Sequence, residues 1–179
     1  MSHRIETRRQ RYEKKKGASK KYPIHIATVN FKNDDNIAQV IRSAVCFGLG
    51  AIHIIGAMPE RKVVYSRSGS TLDYATIFEY PTVREFLDKT WQDYNFIVAE
   101  LSESAQNLHE VKFEFSSRKT MIVVGHEELG VPESLMLEAK NYGTLVQIPM
   151  PGVGFCLNTS HTATILMYEL IKQYETTTK

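Results

Sequence analysis

The residues best suited to chemistry lie in the last third of the chain. The short apolar stretch 145–148 leads into Pro149 and then into a turn with two glycines. Proline ends strand pairing, and Asn158 or Thr159 can cap the long apolar helix predicted to follow. Unpaired N–H groups converge where a strand ends and a helix begins, so a small polar or anionic ligand could bind there. An ordinary strand-to-helix connection is the alternative, and this segment alone favours it.

An earlier segment predicts an amphipathic helix that carries an arginine. Residues 24–29 are typical of a strand, and the Asn/Asp-rich loop behind them ends at Asn36, an N-cap with Gln39 three residues later. Arg42 lies on a different side of this helix from the apolar residues, so it projects from a rigid element. The apolar residues at helical spacing, expected to face the core, are Ile37, Val40, Ile41 and Ala44. A simple cap at Asn36 and a solvated charge at Arg42 are the alternatives.

A third segment places acidic side chains directly after a strand that should be buried. The strand 121–124 stops at Gly125, and His126, Glu127 and Glu128 follow. Ligands of open α/β sheets bind at the carboxyl ends of the strands. The segment therefore predicts a ligand-binding edge.

Together the three segments resemble the SpoU/TrmH family of RNA ribose 2′-O-methyltransferases, in the SPOUT superfamily. The match spans about residues 25–172, and its three motifs occur in order. The first resembles Asn30, Asn36, Arg42 and Phe47-Gly48, the second Gly125-His126-Glu127 and Gly130, and the third Ile148-Pro149-Met150-Pro151-Gly152 and Cys156-Leu157-Asn158.

Two positions depart from the family pattern. Cys156 stands where the family usually has Ser, and His126 where Asn is common. A thiol is a weaker hydrogen-bond donor than a hydroxyl. The first and third motifs otherwise match, which favours an active enzyme over the alternative, a non-catalytic RNA-binding relative.

The resemblance implies a fold, a cofactor and site residues. The fold is an α/β domain with a deep trefoil knot at its C-terminal end, which forms the pocket for S-adenosylmethionine, and dimerisation completes the active site. The residues expected to hold the cofactor are Ala99, Glu100, Gly125, Ile148, Met150 and Leu157. Those expected at the catalytic centre are Asn36, Arg42, Glu127, Cys156 and Asn158.

The implied reaction is attack of a ribose 2′-hydroxyl on the methyl carbon of a sulfonium. The sulfonium leaves as a neutral thioether, so no metal is needed to stabilise the leaving group. A guanidinium stays protonated, so we expect Arg42 to clamp the adjacent phosphate and stabilise the developing alkoxide rather than to act as a base. Asn36 would orient the ribose, and Glu127 would hold a substrate hydroxyl or Arg42 itself. Asn158 would fix the turn and the substrate.

The charge distribution predicts a basic tail, residues 1–21, ahead of a single domain, residues 22–179. The net charge is +2, but the tail has nine Lys/Arg against Glu6 and Glu13, a net of +7, and the remainder has a net of −5. Such a segment binds RNA phosphates, either as a short helix or as a chain that orders on binding. The residues expected to contact RNA are Arg8, Arg9, Arg11, Lys14, Lys15 and Lys16. A solvated tail that aids solubility is the alternative.

Several function classes are disfavoured. No apolar run approaches the length of a membrane span, and no apolar leader begins the chain. The two cysteines lack the His/Cys clustering of a zinc site and are too few for a disulfide framework. We therefore expect a cytoplasmic protein without a metal. Glycine-rich nucleotide-binding turns are missing, and Ser160 and His161 do not make a hydrolase site because adjacent helical side chains diverge. The compact chain favours tRNA over ribosomal RNA as substrate.

Strands and helices alternate, which predicts a mostly parallel sheet with helices on both faces. The predicted strands are 24–29, 51–55, 76–80, 96–100, 121–124 and 145–148, and the predicted helices are 36–47, 83–91, a short one after Pro132, and 159–174. Residues 61–74 are expected to form a polar loop. The last helix is apolar around much of its circumference, which predicts a partner subunit, a homodimer under the resemblance.

Overall fold

Short runs of β-branched and other apolar residues form the strands of a parallel sheet. The structure, a computed structural model, describes residues 6–115 and 118–178. Within these ranges the sheet has seven strands, and each pairing between neighbours is parallel. The strands are β1 (Ile24–Val29), β2 (Ile52–Ile55), β3 (Ile77–Tyr80), β4 (Tyr94–Ala99), β5 (Gln106–Asn107), β6 (Lys119–Val124) and β7 (Gly143–Gln147).

Helices cover both faces of the sheet, as the alternating pattern predicted. They are α1 (Arg8–Lys16), α2 (Asp34–Phe47), α3 (Arg61–Arg67), α4 (Val83–Thr90), α5 (Glu133–Tyr142) and α6 (Thr159–Thr177), with a 3₁₀ turn at Leu72–Tyr74. Buried Ile37, Val64 and Leu166 place α2, α3 and α6 on one core cluster. Phe86 and Leu135 place α4 and α5 on the other. None of the helices in the described ranges is long and apolar enough to cross a membrane.

The strand order brings the ends of three strands to one place. The order is β3-β2-β1-β6-β4-β7-β5, so β7 lies between β4 and β5, which precede it in sequence. After β7 the chain returns to the end of β6, where Thr159 Oγ1 donates a hydrogen bond of 3.1 Å to the carbonyl of Gly125. The carboxyl ends of β4, β6 and β7 therefore meet the start of α6.

Most predicted elements are confirmed within a few residues, and two predictions are wrong. The expected polar loop 61–74 contains α3 and the 3₁₀ turn, because Val64 and Leu72 are buried against the core and hold the segment in place. Helix α2 begins two residues earlier than predicted, at Asp34, because Asn33 rather than Asn36 accepts the capping bond, from Asp35 N at 2.9 Å. The two-residue strand β5 was not predicted.

Two buried histidines form a polar network on the α4 side of the sheet. His25 Nδ1 lies 3.0 Å from His53 Nε2 and 2.9 Å from the Tyr94 hydroxyl, and His53 Nδ1 lies 3.0 Å from the Tyr80 hydroxyl. Burial lowers the pKa of His25 to about 4 and the pKa of His53 to about 3, and nearby positive charge adds to the effect. Both rings are therefore neutral in the folded protein at neutral pH.

Candidate functional site

A cavity of about 450 Å³ lies at the carboxyl edge of the sheet. The ends of β4, β6 and β7, the loop after β7 and the start of α6 form its walls. The cavity wall includes all six residues expected to hold the cofactor and three of the five expected at the catalytic centre: Ala99, Glu100, Gly125, Ile148, Met150, Leu157, Glu127, Cys156 and Asn158. Its volume lies within the range typical of sites for small organic ligands.

Asn158 fixes the end of the loop that follows β7. Its Oδ1 accepts hydrogen bonds from the backbone N and the hydroxyl of Ser160, at 2.8 and 2.7 Å, and so caps α6 as the sequence predicted. The preceding residues 151–157 are exposed, and Cys156 and Leu157 among them belong to the cavity wall. The loop is therefore anchored at α6 while its side chains stay accessible.

Glu127 connects the cavity to the start of α2. Its carboxylate accepts hydrogen bonds from Lys32 N at 2.9 Å, Asn33 N at 3.1 Å and Asn36 Nδ2 at 2.7 Å. Partial burial would raise the pKa of Glu127, but these hydrogen bonds favour the charged form and hold the pKa below its usual value. The carboxylate thus stays ionised and ties the β1–α2 loop to the end of β6.

Asn36 is not the N-cap of α2, which is the position that the sequence predicted for it. It lies in the first turn of α2, is 5% exposed, and donates its side-chain amide to Glu127 instead of capping the helix. The sequence also suggested that Glu127 could hold Arg42. The described contacts of the Glu127 carboxylate go to Asn36 and to the loop before α2 instead.

Glu100 fixes the opposite wall of the cavity. Its carboxylate accepts hydrogen bonds from Val131 N at 2.6 Å and Leu101 N at 2.9 Å. Gly130 adopts φ 68°, and a Cβ there would collide with this carboxylate. A Cβ at Gly125 would collide with the backbone of Gly130. The second motif therefore needs its two glycines so that the turn after β6 can close against Glu100.

His126 is a cavity residue that the sequence treated only as a departure from the family pattern. Its Nδ1 accepts hydrogen bonds from Glu128 N at 3.0 Å and Leu129 N at 3.2 Å, and the residue is part of the cavity wall. The sequence feature that could have indicated this role is the position of His126 directly before Glu127 in a turn. A side-chain acceptor there can bind the backbone N–H two residues later.

Arg42 lies outside the cavity. It is exposed on α2, on the same stripe as Gln39 and Cys46, and makes no hydrogen bond or ion pair with other residues in the described ranges. Arg42 is therefore not part of the cavity wall that contains Glu127, Cys156 and Asn158.

Within the basic tail, residues 8–16 form the helix α1, which packs on the domain. Thr7 and Gln10 form a capping box at the start of α1. The Tyr12 hydroxyl donates to the carbonyl of Gly69 at 3.4 Å, the Tyr74 hydroxyl donates to Glu13 at 2.9 Å, and the two tyrosine rings meet edge to face. The exposed basic residues of α1 are Arg9, Arg11, Lys14, Lys15 and Lys16, and the side chain of Arg8 lies outside the described residues.

The sequence motifs, the sheet order and the cavity all point to one family. A model of the SpoU rRNA methylase family matches residues 23–168. The chain belongs to this family. The family predicted from the three motifs is therefore confirmed.

Relatives with assigned reactions agree with the SpoU assignment. The chain is 28% identical over 152 residues to the tRNA (guanosine(18)-2′-O)-methyltransferase of Aquifex aeolicus, covering 82% of this chain and 67% of that enzyme. It is 24% identical over 141 residues to a putative tRNA (cytidine(34)-2′-O)-methyltransferase of Geobacillus stearothermophilus, covering 79% and 87%. These relatives support an enzyme and give no support to the non-catalytic alternative.

A solved structure shows a similar fold. The AdoMet-bound rRNA methyltransferase of Sinorhizobium meliloti is similar with a TM-score of 0.72 and 19% identity, over 84% of this chain and 58% of that chain.

Among residues 6–115 and 118–178, no group of three or more His, Cys, Asp or Glu side chains is suited to hold a metal ion.

Proposed function

We propose that this SpoU protein transfers a methyl group from S-adenosylmethionine to a ribose 2′-hydroxyl of tRNA. The observation that carries the proposal is the cavity itself, whose wall contains all six residues expected to hold the cofactor. Glu127, at the same cavity, is bound to the first turn of the helix that carries Arg42.

The cavity has the chemistry that this cofactor needs. Ile148, Met150 and Leu157 supply apolar surface for an adenine ring, and the carboxylates of Glu100 and Glu127 favour a cationic ligand. S-adenosylmethionine supplies a methyl group on a positively charged sulfur. The AdoMet-bound relative of the same fold supports this choice.

The residues of this chain would act on the ribose and its phosphate. Arg42 would clamp the phosphate next to the reacting nucleotide and stabilise the oxygen as its proton departs to phosphate or water. Asn36, held by Glu127, would fix the orientation of the ribose, while Cys156 and Asn158 would bound the substrate at the loop after β7. Since guanidinium stays protonated, Arg42 would not serve as the base.

A homodimer would bring Arg42 to a cavity, and two observations support one. Arg42 lies outside the cavity of its own chain. Val153, Phe155 and Tyr168 expose large apolar surfaces, which a partner subunit could cover. Tyr168 lies on α6, which packs on the helix of Arg42 through Ser43 and Thr164. The deep trefoil knot remains part of the proposal. The insertion of β7 between β4 and β5 supports it, because the chain must then pass back to the end of β6.

The two relatives with tRNA reactions favour tRNA over ribosomal RNA, and tRNA modification favours a cytoplasmic place of action. The proposal retains α1 as the element that adds phosphate contacts, through Arg9, Arg11, Lys14, Lys15 and Lys16, ahead of the domain 22–179. Such contacts add affinity without reading sequence.

Methyl transfer to purified RNA tests the proposal. We expect radiolabelled S-adenosylmethionine to label a tRNA pool from cells that lack this protein, and the digested product to contain a 2′-O-methylated nucleoside. Label only in ribosomal RNA would overturn the tRNA assignment, and label on a base would overturn the 2′-hydroxyl assignment.

Mixing two inactive variants tests the shared site. Arg42→Ala removes the clamp and Met150→Arg fills the cavity, so a mixed dimer would keep one intact site if Arg42 acts across the interface. We expect the mixture to regain part of the activity that each variant lacks. A mixture as inactive as its parts, with mixed dimers verified by mass, would place Arg42 in its own chain's site.

A further inference from the structure

The turn 126–130 is closed by its own first side chain. His126 and Gly130 exchange two backbone hydrogen bonds, each of 3.0 Å, which join the ends of the turn. The backbone N–H groups of Glu128 and Leu129, which point into the turn, both donate to His126 Nδ1, at 3.0 and 3.2 Å. Leu129 at the tip is 82% exposed. Inside the turn, the imidazole is the side chain that accepts from these two backbone N–H groups.

These bonds decide which ring nitrogen carries the proton. A neutral imidazole has one donor and one acceptor nitrogen, and a nitrogen that accepts from backbone N–H groups carries no hydrogen. The proton of neutral His126 is therefore on Nε2. A protonated ring would lose the acceptor at Nδ1 and with it both bonds that close the turn.

The same turn holds Glu127 in place. Glu127 is the residue next to His126, and its carboxylate binds Lys32 N, Asn33 N and Asn36 Nδ2 in front of α2. Glu128, the following residue, pairs with Lys32 Nζ at 3.1 Å. A change in the turn would thus move the groups that fix the first turn of α2.

We propose that His126 is a positioning residue for methyl transfer, which holds the turn 126–130 through Nδ1 and thereby holds Glu127 against the helix that carries Arg42. The inference rests on the proposed function and adds to it a role for a residue that departs from the family pattern. Asn, common at this position in the family, could serve in the same way, because its side-chain oxygen also accepts from the backbone two residues later.

Two substitutions separate the acceptor from the ring. His126→Phe keeps a planar ring and removes the acceptor, whereas His126→Asn keeps an acceptor and removes the ring. We expect His126→Phe to lower kcat about tenfold, equivalent to about 1.4 kcal/mol in the transition state, and His126→Asn to stay within about threefold of the unmodified protein. His109→Phe, at an exposed histidine outside the cavity, is the matched control and should leave kcat unchanged.

A double substitution tests the path through Glu127. If His126 acts by placing Glu127, then His126→Phe combined with Glu127→Gln should be no slower than Glu127→Gln alone, because the placed group is already altered. Multiplication of the two losses would overturn the proposal. Retained activity in His126→Phe with loss in His126→Asn would do so as well, since the ring and not its nitrogen would then matter.

Measurements on the protein alone separate this inference from the proposed function. Nitrogen NMR of the neutral His126 ring should show the proton on Nε2, and the amides of residues 128 and 129 should exchange faster in His126→Phe than in His126→Asn. The opposite ring form, or equal exchange in both variants, would overturn the inference even if methyl transfer occurs. Failure of methyl transfer with these signatures intact would instead count against the proposed function.

Discussion

Asn36 Nδ2 donates a hydrogen bond of 2.7 Å to Glu127 Oε1, and this contact joins the first turn of α2 to the end of β6. Asn36 is almost fully buried, so its amide needs a partner inside the protein. Glu127 lies at the cavity, so the same carboxylate connects the proposed cofactor site to the helix of Arg42. Two motifs that are 91 positions apart in sequence thus form one structural unit.

Glu127→Gln should weaken this unit. An amide can still accept from part of the loop, but it loses the negative charge that strengthens the bonds from Lys32 N, Asn33 N and Asn36 Nδ2. We expect turnover to fall about tenfold or more and stability to fall by about 1 kcal/mol. Glu79→Gln is the matched control, because this carboxylate is exposed on β3 and is not part of the cavity wall. Kinetics and thermal unfolding on both variants check the prediction, and equal effects would contradict it.

Arg42→Ala should lower turnover by about a hundredfold or more, since a charge that develops in the transition state would lose its stabilisation. Arg42→Lys should recover little, because an ammonium cannot reproduce the two-pronged guanidinium contact. Gln39→Ala removes an exposed residue from the same stripe of α2 and serves as the control. Single-turnover rates with saturating RNA decide the matter. Near-normal rates in either arginine variant, with the fold intact, would remove Arg42 from the mechanism.

Local pattern predicted the strands and the face of α2 well, because burial and periodicity are properties of consecutive residues. β1 was predicted to the residue, and the four apolar residues of α2 that were predicted to face the core are all buried. The hydrogen-bond partners of Glu127 could not be predicted from local pattern, because they depend on which strands become neighbours in the sheet. The cap at Asn33 was missed because two Asn residues three positions apart can each begin a helix, and only the Glu127 contact selects between them.

The basic helix should contribute to RNA affinity in a salt-dependent way. Arg11→Gln with Lys15→Gln removes two exposed charges from α1 and should reduce the slope of log affinity against log salt by about 1 to 2. Cofactor affinity should not change. Arg84→Gln with Lys89→Gln, on α4 at the opposite face, is the matched control. Binding at several salt concentrations tests this, and an unchanged slope in the α1 variant would leave α1 as an aid to solubility.

The His25–His53 network should make the folded protein less stable as the pH is lowered. Both pKa values are lower in the folded protein than the ordinary 6.5, so the unfolded chain binds more protons below that pH. The stability is fully present above pH 6.5 and is lost as pH falls toward about 4 for His25 and about 3 for His53. Each histidine contributes a slope of up to about 1.4 kcal/mol per pH unit.

The measurement is denaturant unfolding between pH 7 and pH 5, where carboxylates titrate little. His53→Gln should flatten the dependence, because one buried titrating group is gone. His109→Gln, at an exposed histidine, should leave it unchanged. The same slope in His53→Gln as in the unmodified protein would show that the network does not set the pH dependence.

Cys156 at the cavity wall provides the last prediction, because the family usually has Ser there. If the position supplies a small polar group beside the substrate, Cys156→Ser should keep or raise activity, since a hydroxyl donates a better hydrogen bond than a thiol. Cys156→Ala should then lose only the value of one neutral hydrogen bond, about 0.5–1.5 kcal/mol. Cys46→Ser, at the exposed thiol on α2, controls for general effects of thiol removal.

A covalent role for the Cys156 thiol predicts the opposite, with Ser and Ala variants both nearly inactive. Direct attack of an oxygen nucleophile on the methyl carbon needs no bond to the enzyme, so we do not expect both variants to be inactive. Turnover of both variants on one RNA, with cofactor affinity measured alongside, distinguishes the two roles. Complete loss of activity in Cys156→Ser with cofactor binding intact would show that the thiol itself takes part in the reaction.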